Sequence, residues 1–83
     1  MKVVTVYGTE SCGGCNVLKT QLSKAGISFN SKDVLDSDVS LDVNNLGIRG
    51  IPHTTVEDDG LLLESIYGST KDVVDRIISL SKE

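Results

Sequence analysis

Tryptophan is absent from this 83-residue chain; phenylalanine, methionine, histidine and proline occur once each, and cysteine occurs twice. Two cysteines cannot build the disulfide framework of a small secreted domain, and with one histidine they cannot complete a four-ligand zinc site. No apolar stretch approaches the roughly 20 residues of a membrane-spanning helix, and the start runs straight into a strand pattern without a basic leader. The chain is therefore expected to be cytoplasmic, unprocessed and free of the membrane. Basic residues are in the minority, 8 against 12 acidic ones, for a net charge of -4 and an isoelectric point near 4.8. Nucleic acid, whose phosphates call for clustered Lys or Arg, is not an expected partner.

What is present is ordinary globular composition, with 39% apolar and 24% charged residues. Two separate cores in a chain of this size would each be too small to offset the entropy of ordering it, so residues 1–83 are read as a single domain; a monomer is expected.

Val3 to Tyr7 form a β-branched run ending at Gly8, suited to a strand buried on both faces. Beyond a turn, Val17, Leu18, Leu22 and Ala25 recur at helical spacing, Lys19, Gln21 and Lys24 face outward, and Gly26 supplies the stop. This helix is expected from about Cys12 to Ala25, with a second strand over Ile27 to Lys32. Two strands joined through such a helix make a parallel, right-handed βαβ unit. Val39, Val43 and Leu46, closed by Gly47, suggest a short helix with Ser37 as its cap. His53 to Glu57 and Leu61 to Ile66 flank Asp58-Asp59-Gly60 and read as an antiparallel hairpin. Val73, Val74, Ile77 and Ile78 mark one face of a last helix opened by Ser69 or Thr70, with Asp72 in its first turn. The order is βαβαββα.

Cys12-Gly13-Gly14-Cys15 falls at the first strand-to-helix junction, where unpaired amide N–H groups and the positive dipole end favour an anion. A Cys12 thiolate is such an anion, and the thiolate is the attacking species, so Cys12 is the expected nucleophile. Cys15, one turn further in, is placed to attack a mixed disulfide on Cys12 and release the reduced substrate, as the resolving thiol. Gly13 and Gly14 leave the sulfur approachable, yet they also weaken the helix start. A lone C-x-x-C has other readings: two buried thiols, a structural disulfide, or half of a metal site completed by another chain. Its place in a βαβ unit favours redox chemistry.

The Cys12-Gly13-Gly14-Cys15 motif resembles the Cys-Gly-Pro-Cys of thioredoxins with Gly14 in place of Pro. Gly47-Ile48-Arg49-Gly50-Ile51-Pro52, about forty residues on, resembles their segment leading into a cis-proline. In length the chain is similar to glutaredoxins and the small glutaredoxin-like redoxins of bacteria, archaea and phages. The resemblance covers nearly the whole chain. It implies an α/β thioredoxin fold with a four-stranded mixed sheet flanked by helices, and a thiol–disulfide oxidoreductase active in electron transport and cell redox homeostasis. It also implies a cis bond before Pro52, and an Ile51 backbone that holds an extended substrate. Gly68 and Ser69 match the position of the glutaredoxin Gly-Gly-Ser/Asp segment, where N–H groups could hold a substrate carboxylate; an ordinary turn and cap explains them equally well. No bound cofactor or metal is required. Implied partners are disulfide-containing proteins, ribonucleotide reductase among them, with thioredoxin reductase or glutathione as the reductant.

The departures are as informative. Ser11 stands where thioredoxins have a tryptophan, and Val6 where they have a buried proton-relay aspartate, six residues before the first cysteine. The basic residue common upstream of the glutaredoxin cysteines is replaced by Thr9 and Glu10, which weakens the case for glutathione. Glu10 is read as an exposed loop carboxylate, Arg49 as a solvated loop arginine, and His53 as a satisfied or solvent-facing histidine. Asp33, Asp36, Asp38 and Asp42 fit no Ca²⁺ loop and are read as caps and surface. Rival functions are a glutathione-dependent glutaredoxin, an iron–sulfur cluster carrier sharing cysteines between two copies, and a non-catalytic binding module.

Overall fold

A computed structural model gives the fold and describes residues 1–82. The element order is β1 (Lys2–Gly8), α1 (Gly13–Lys24), β2 (Asn30–Asp33), α2 (Ser40–Leu46), β3 (His53–Asp58), β4 (Leu61–Tyr67) and α3 (Lys71–Lys82). They build one four-stranded sheet in the order β2-β1-β3-β4. β1 pairs parallel with β2 and antiparallel with β3, and β3 pairs antiparallel with β4, so the sheet is mixed.

β1 lies in the middle, and Val4 through Gly8 are buried on alternating sides. Val4 and Val6 join Val56 on one face, where Leu18 and Leu22 of α1 and Val74, Ile77 and Leu80 of α3 complete the core. On the other face, Lys32 of β2 lies 5.8 Å from the ring of Tyr7 and is ion-paired with Asp42 of α2 at 3.3 Å. Helices therefore flank both sides of the sheet. Fully burying each large aliphatic side chain contributes about 1.5–3 kcal/mol, which makes Leu18, Leu22 and Ile77 the anchors of the two-helix layer.

α1 stops in a Schellman arrangement: Ile27 N–H donates to Leu22 O at 3.0 Å and Gly26 N–H to Ser23 O at 3.0 Å, with Gly26 at φ +77°. That closure corrects the expected start of the second strand. Ile27 is consumed by the helix cap and packs on the core, so pairing begins only at Asn30. A second correction concerns Ser37, which does not cap α2. The N-cap is Val39, without a side-chain bond, because a turn over residues 36–40 leads in through Val39 N–H to Asp36 O at 3.0 Å. Asp33 and Asp36 accept from the backbone N–H of Leu35 and Asp38 at 2.9 and 3.0 Å, so these acids serve the loop itself.

The hairpin turns on Asp59 and Gly60, both with positive φ (52° and 84°), the two-residue geometry that Asp-Gly favours. A bulge between Val56 and Glu57 leaves Leu63 as the extra residue of β4. Thr70, rather than Ser69, opens α3: its hydroxyl accepts from Val73 N–H at 3.4 Å. Lys2 Nζ donates to Leu80 O at 2.7 Å, and Arg76 holds Glu64 of β4 through two bonds of 2.9 and 3.0 Å, fastening α3 to the sheet at its middle and near its C-terminal end. No helix among the described residues is long and apolar enough to cross a membrane.

Candidate active site

β1 ends at Gly8 and the chain turns over Thr9 to Ser11, closed by Cys12 N–H donating to Thr9 O at 3.3 Å. Cys12 keeps extended angles (φ -81°, ψ 108°) and is the N-cap of α1. Its carbonyl accepts from Asn16 N–H at 3.2 Å, and its sulfur accepts from Cys15 N–H at 3.1 Å. A cysteine thus does at this terminus what a Ser or Asp oxygen does elsewhere, satisfying one of the helix's orphan donors. The first turn of α1 holds no acidic side chain, so the amides and the helix dipole act on Cys12 Sγ alone within that turn. Asn16 Nδ2 donates to Glu10 O at 3.2 Å and pins the preceding turn. Glu10 itself is exposed, as expected of a loop carboxylate.

Cys12 and Cys15 are joined in a disulfide with their Cα atoms 5.2 Å apart. The pair is asymmetric: Cys12 is partly exposed, whereas Cys15 is fully buried. A disulfide attacked from solvent is therefore met at Cys12, and Cys15 sits behind it. The reason lies in Gly8, against which Cys15 packs. A Cβ built on Gly8 would collide with Cys15 Sγ and lie 3.0 Å from its Cβ.

The Ile51–Pro52 bond is cis, and Pro52 is buried. A Cβ on Gly14 would lie 3.5 Å from Pro52 Cδ and 3.1 Å from Ser69 Oγ, so the loop before β3, the loop before α3 and the start of α1 converge at the disulfide. Gly68 belongs to the same junction, its N–H donating to Pro52 O at 2.9 Å with φ at +114°. Of the residues singled out from sequence, Cys12, Cys15, Pro52, Gly68 and Ser69 meet in space. Ile51, half-buried, lines an apolar hollow of about 310 Å³ with Val34, Val43 and Ile48.

His53 does not reach the cysteine rim. It pairs across the ladder with Tyr67 and hydrogen-bonds Ser65 Oγ through Nε2, on the sheet face opposite Val6 and Thr54. Burial holds its pKa below the usual 6.5. Arg49 is exposed, bordering a cavity of about 390 Å³ with Gly47, Gly50, His53 and Tyr67. A longer groove of about 540 Å³ runs between α1 and α3, from Ser69 past Val17, Gln21, Lys24, Val74 and Ile78. Among the described residues no group of three or more His, Cys, Asp or Glu is placed to hold a metal ion.

Two residues on the helix-facing side of the sheet carry no distinctive signal in the sequence. Gly8 reads there only as the end of a strand, although a glycine at such a point can mark close backbone approach. Thr54, fully buried with its hydroxyl unpaired, looks like any strand threonine.

No family model matches the chain, and no curated protein does. Solved structures do match. Thioredoxin f from spinach chloroplast (short form) has a TM-score of 0.80 at 20% identity, over 99% of this chain and 77% of that one. Mitochondrial thioredoxin 3 from Saccharomyces cerevisiae in its oxidised form gives 0.76 at 22% identity, over 94% and 76%. Fasciola hepatica thioredoxin gives 0.78 at 14% identity, over 96% and 80%. Likeness at these identities establishes the architecture: the chain has the thioredoxin fold, with the Cys12–Cys15 disulfide at the head of its first helix.

Proposed function

From the thioredoxin fold and the disulfide that begins α1, we propose that this protein is a thiol–disulfide oxidoreductase acting on protein disulfides. The single observation that carries the reading is that Cys12 Sγ, partly exposed, accepts the Cys15 N–H at the first turn of a helix, while Cys15 is sealed behind it. Hydrogen bonding to the charged form and a positive dipole end both lower a thiol's pKa and raise its thiolate fraction near neutral pH.

In the reduced protein the Cys12 thiolate attacks one sulfur of a substrate disulfide, forming a mixed disulfide and expelling the other sulfur as a thiolate. The Cys15 sulfur then attacks Cys12 Sγ, the Cys12–substrate bond breaks, and the substrate leaves with two thiols. Two electrons have moved and the Cys12–Cys15 disulfide remains. The protein supplies this chemistry from its own side chains and needs no bound cofactor. The convergence of Pro52, Gly68 and Ser69 on Gly14 supports a role for these loops, with the Ile51 backbone, in seating the substrate chain. Ribonucleotide reductase is one acceptor of suitable chemistry, and thioredoxin reductase or glutathione the source of electrons.

Two substitutions test the reading. Cys12→Ser should abolish reduction of a protein disulfide, and Cys15→Ser should accumulate a mixed disulfide through Cys12 visible by mass spectrometry. Alkylation of the reduced wild type should label Cys12 well before Cys15. Equal labelling together with no trapped species would overturn the proposal. Supplying NADPH with thioredoxin reductase, or with glutathione and its reductase, identifies the reductant by which pair sustains turnover.

A further inference from the structure

Cys15 presents a difficulty that α1 does not solve. To expel the substrate it must give up a proton and carry developing negative charge, yet it is fully buried, and burial disfavours a thiolate. The helix terminus serves Cys12. Something else must serve Cys15.

The side of the sheet on which it is buried is nearly all apolar. β1 places Gly8 directly against its sulfur, Pro52 stands against the neighbouring Gly14, and the core on this side of the sheet is built from Val4, Val6, Val56, Val74 and Ile77. None of them carries a charge, and Tyr7, His53 and Glu57 lie on the opposite face of the sheet. The exception on the helix-facing side is Thr54. It is paired with Val6 across the ladder, is fully buried, and its Oγ1 has no hydrogen-bond partner. A buried hydroxyl without a partner is unfavourable, so its presence calls for a reason.

The register supplies one. Val6 and Gly8 lie on one face of β1, and Thr54, the partner of Val6, lies on the same face of β3, because alternate residues share a face; Pro52 stands just ahead of β3. The disulfide rests on the Gly8 and Pro52 end of these rows: Cys15 Sγ against Gly8, Gly14 against Pro52. Thr54 is two residues along, roughly 7 Å of strand, a span that two side chains or one bridging water can close.

We infer that Thr54 is a positioning residue for the resolving step, its hydroxyl donating a hydrogen bond to the Cys15 sulfur as that sulfur becomes a thiolate. The inference rests on the oxidoreductase reading above. In that step the Cys15 sulfur bonds to Cys12 Sγ, the Cys12–substrate S–S bond breaks, and its electron pair leaves on the substrate sulfur. The proton released by Cys15 ends on that sulfur. The hydroxyl is neither consumed nor ionised; it lowers the penalty of placing charge in an apolar enclosure.

The test is rapid-quench mass spectrometry of the reduced protein mixed with a disulfide-bonded peptide, which resolves mixed-disulfide formation from its resolution. In Thr54→Val the ratio of the resolution rate to the formation rate should fall roughly tenfold, the loss expected for one hydrogen bond to a charged group. The pH midpoint of resolution should move upward. Thr54→Ser should restore both, while Thr55→Val, whose equally orphaned hydroxyl faces the other way, should match the wild type. As a second measurement, the Thr54 methyl resonance in Cys12→Ser should titrate with Cys15. A Thr54→Val protein that is more stable, with an unchanged ratio and pH midpoint, would overturn the inference, as would a Thr54 resonance indifferent to Cys15. A wild type that never forms the mixed disulfide would instead overturn the oxidoreductase reading on which the inference stands.

Discussion

Gly8→Ala sets two effects of opposite sign against each other and so tests how the disulfide is seated. In a strand, replacing Gly by Ala ordinarily stabilises by about 0.5–1 kcal/mol, because the unfolded chain loses freedom. At Gly8 φ is not positive, so backbone conformation raises no objection. Space does: the new Cβ would collide with Cys15 Sγ and stand 3.0 Å from Cys15 Cβ, and neither is the far end of a flexible chain. Cys15 is fully buried and tied to α1, so relief requires the start of the helix to lift from β1. Overpacking of this kind costs about 1–3 kcal/mol. The collision outweighs the entropic gain, leaving a net loss of about 1–2 kcal/mol. In a domain of this size each kcal/mol shifts Tm by roughly 4–8 °C. Calorimetry of the disulfide form, in which the Cys15 sulfur occupies that space, should show the drop. An alanine variant as stable as the wild type would refute the close approach and the burial argument for Cys15.

Gly13→Ala provides the contrast, because a Cβ there meets nothing within 4 Å. It should stabilise the protein by about 0.5–1 kcal/mol, read as a higher urea midpoint with unchanged slope. Gly60→Ala places a side chain at φ +84° in the hairpin turn and should lower the urea midpoint by about 1 kcal/mol of stability. Hydrogen bonding to Arg76 holds the Glu64 carboxyl below its usual 4.5. The unfolded chain therefore binds more protons on acidification, so this contribution is complete above pH 4.5 and is lost as pH falls through the folded value. Glu64→Gln should flatten that part of a Tm-versus-pH curve. His53, held below 6.5 by burial, follows the same direction for a different reason: it resists charging in the fold. Stability should decline as pH falls below 6.5 toward its lowered pKa, and NMR titration of its single imidazole should place the midpoint under 6.5.

Much of the fold was legible because its signals are local. The β-branched run before Gly8, the Val17-Leu18-Leu22 spacing and the Asp59-Gly60 turn each encode one element through a period or a backbone angle. The errors fall where tertiary context competes with local pattern. Ile27 and Phe29 look like strand residues, but the Schellman closure of α1 takes the Ile27 amide and both side chains pack on the core. Ser37 looks like a cap, but the loop before α2 satisfies itself through its own turn.

The sequence by itself determined the succession of strands and helices and the chemistry at the first junction. A cysteine at an N-cap faces unpaired amides whatever the rest of the chain does, because the helix that follows it creates them. Only the tertiary structure decided which atoms stand around that cysteine pair. Gly8 under Cys15, Pro52 and Ser69 against Gly14, and the orphan hydroxyl of Thr54 in the same inward row depend on the register of β1 with β3 and on how α1 lies across them. Apart from Gly8 and Cys15, those are through-space relations between residues far apart along the chain, and no periodicity carries them.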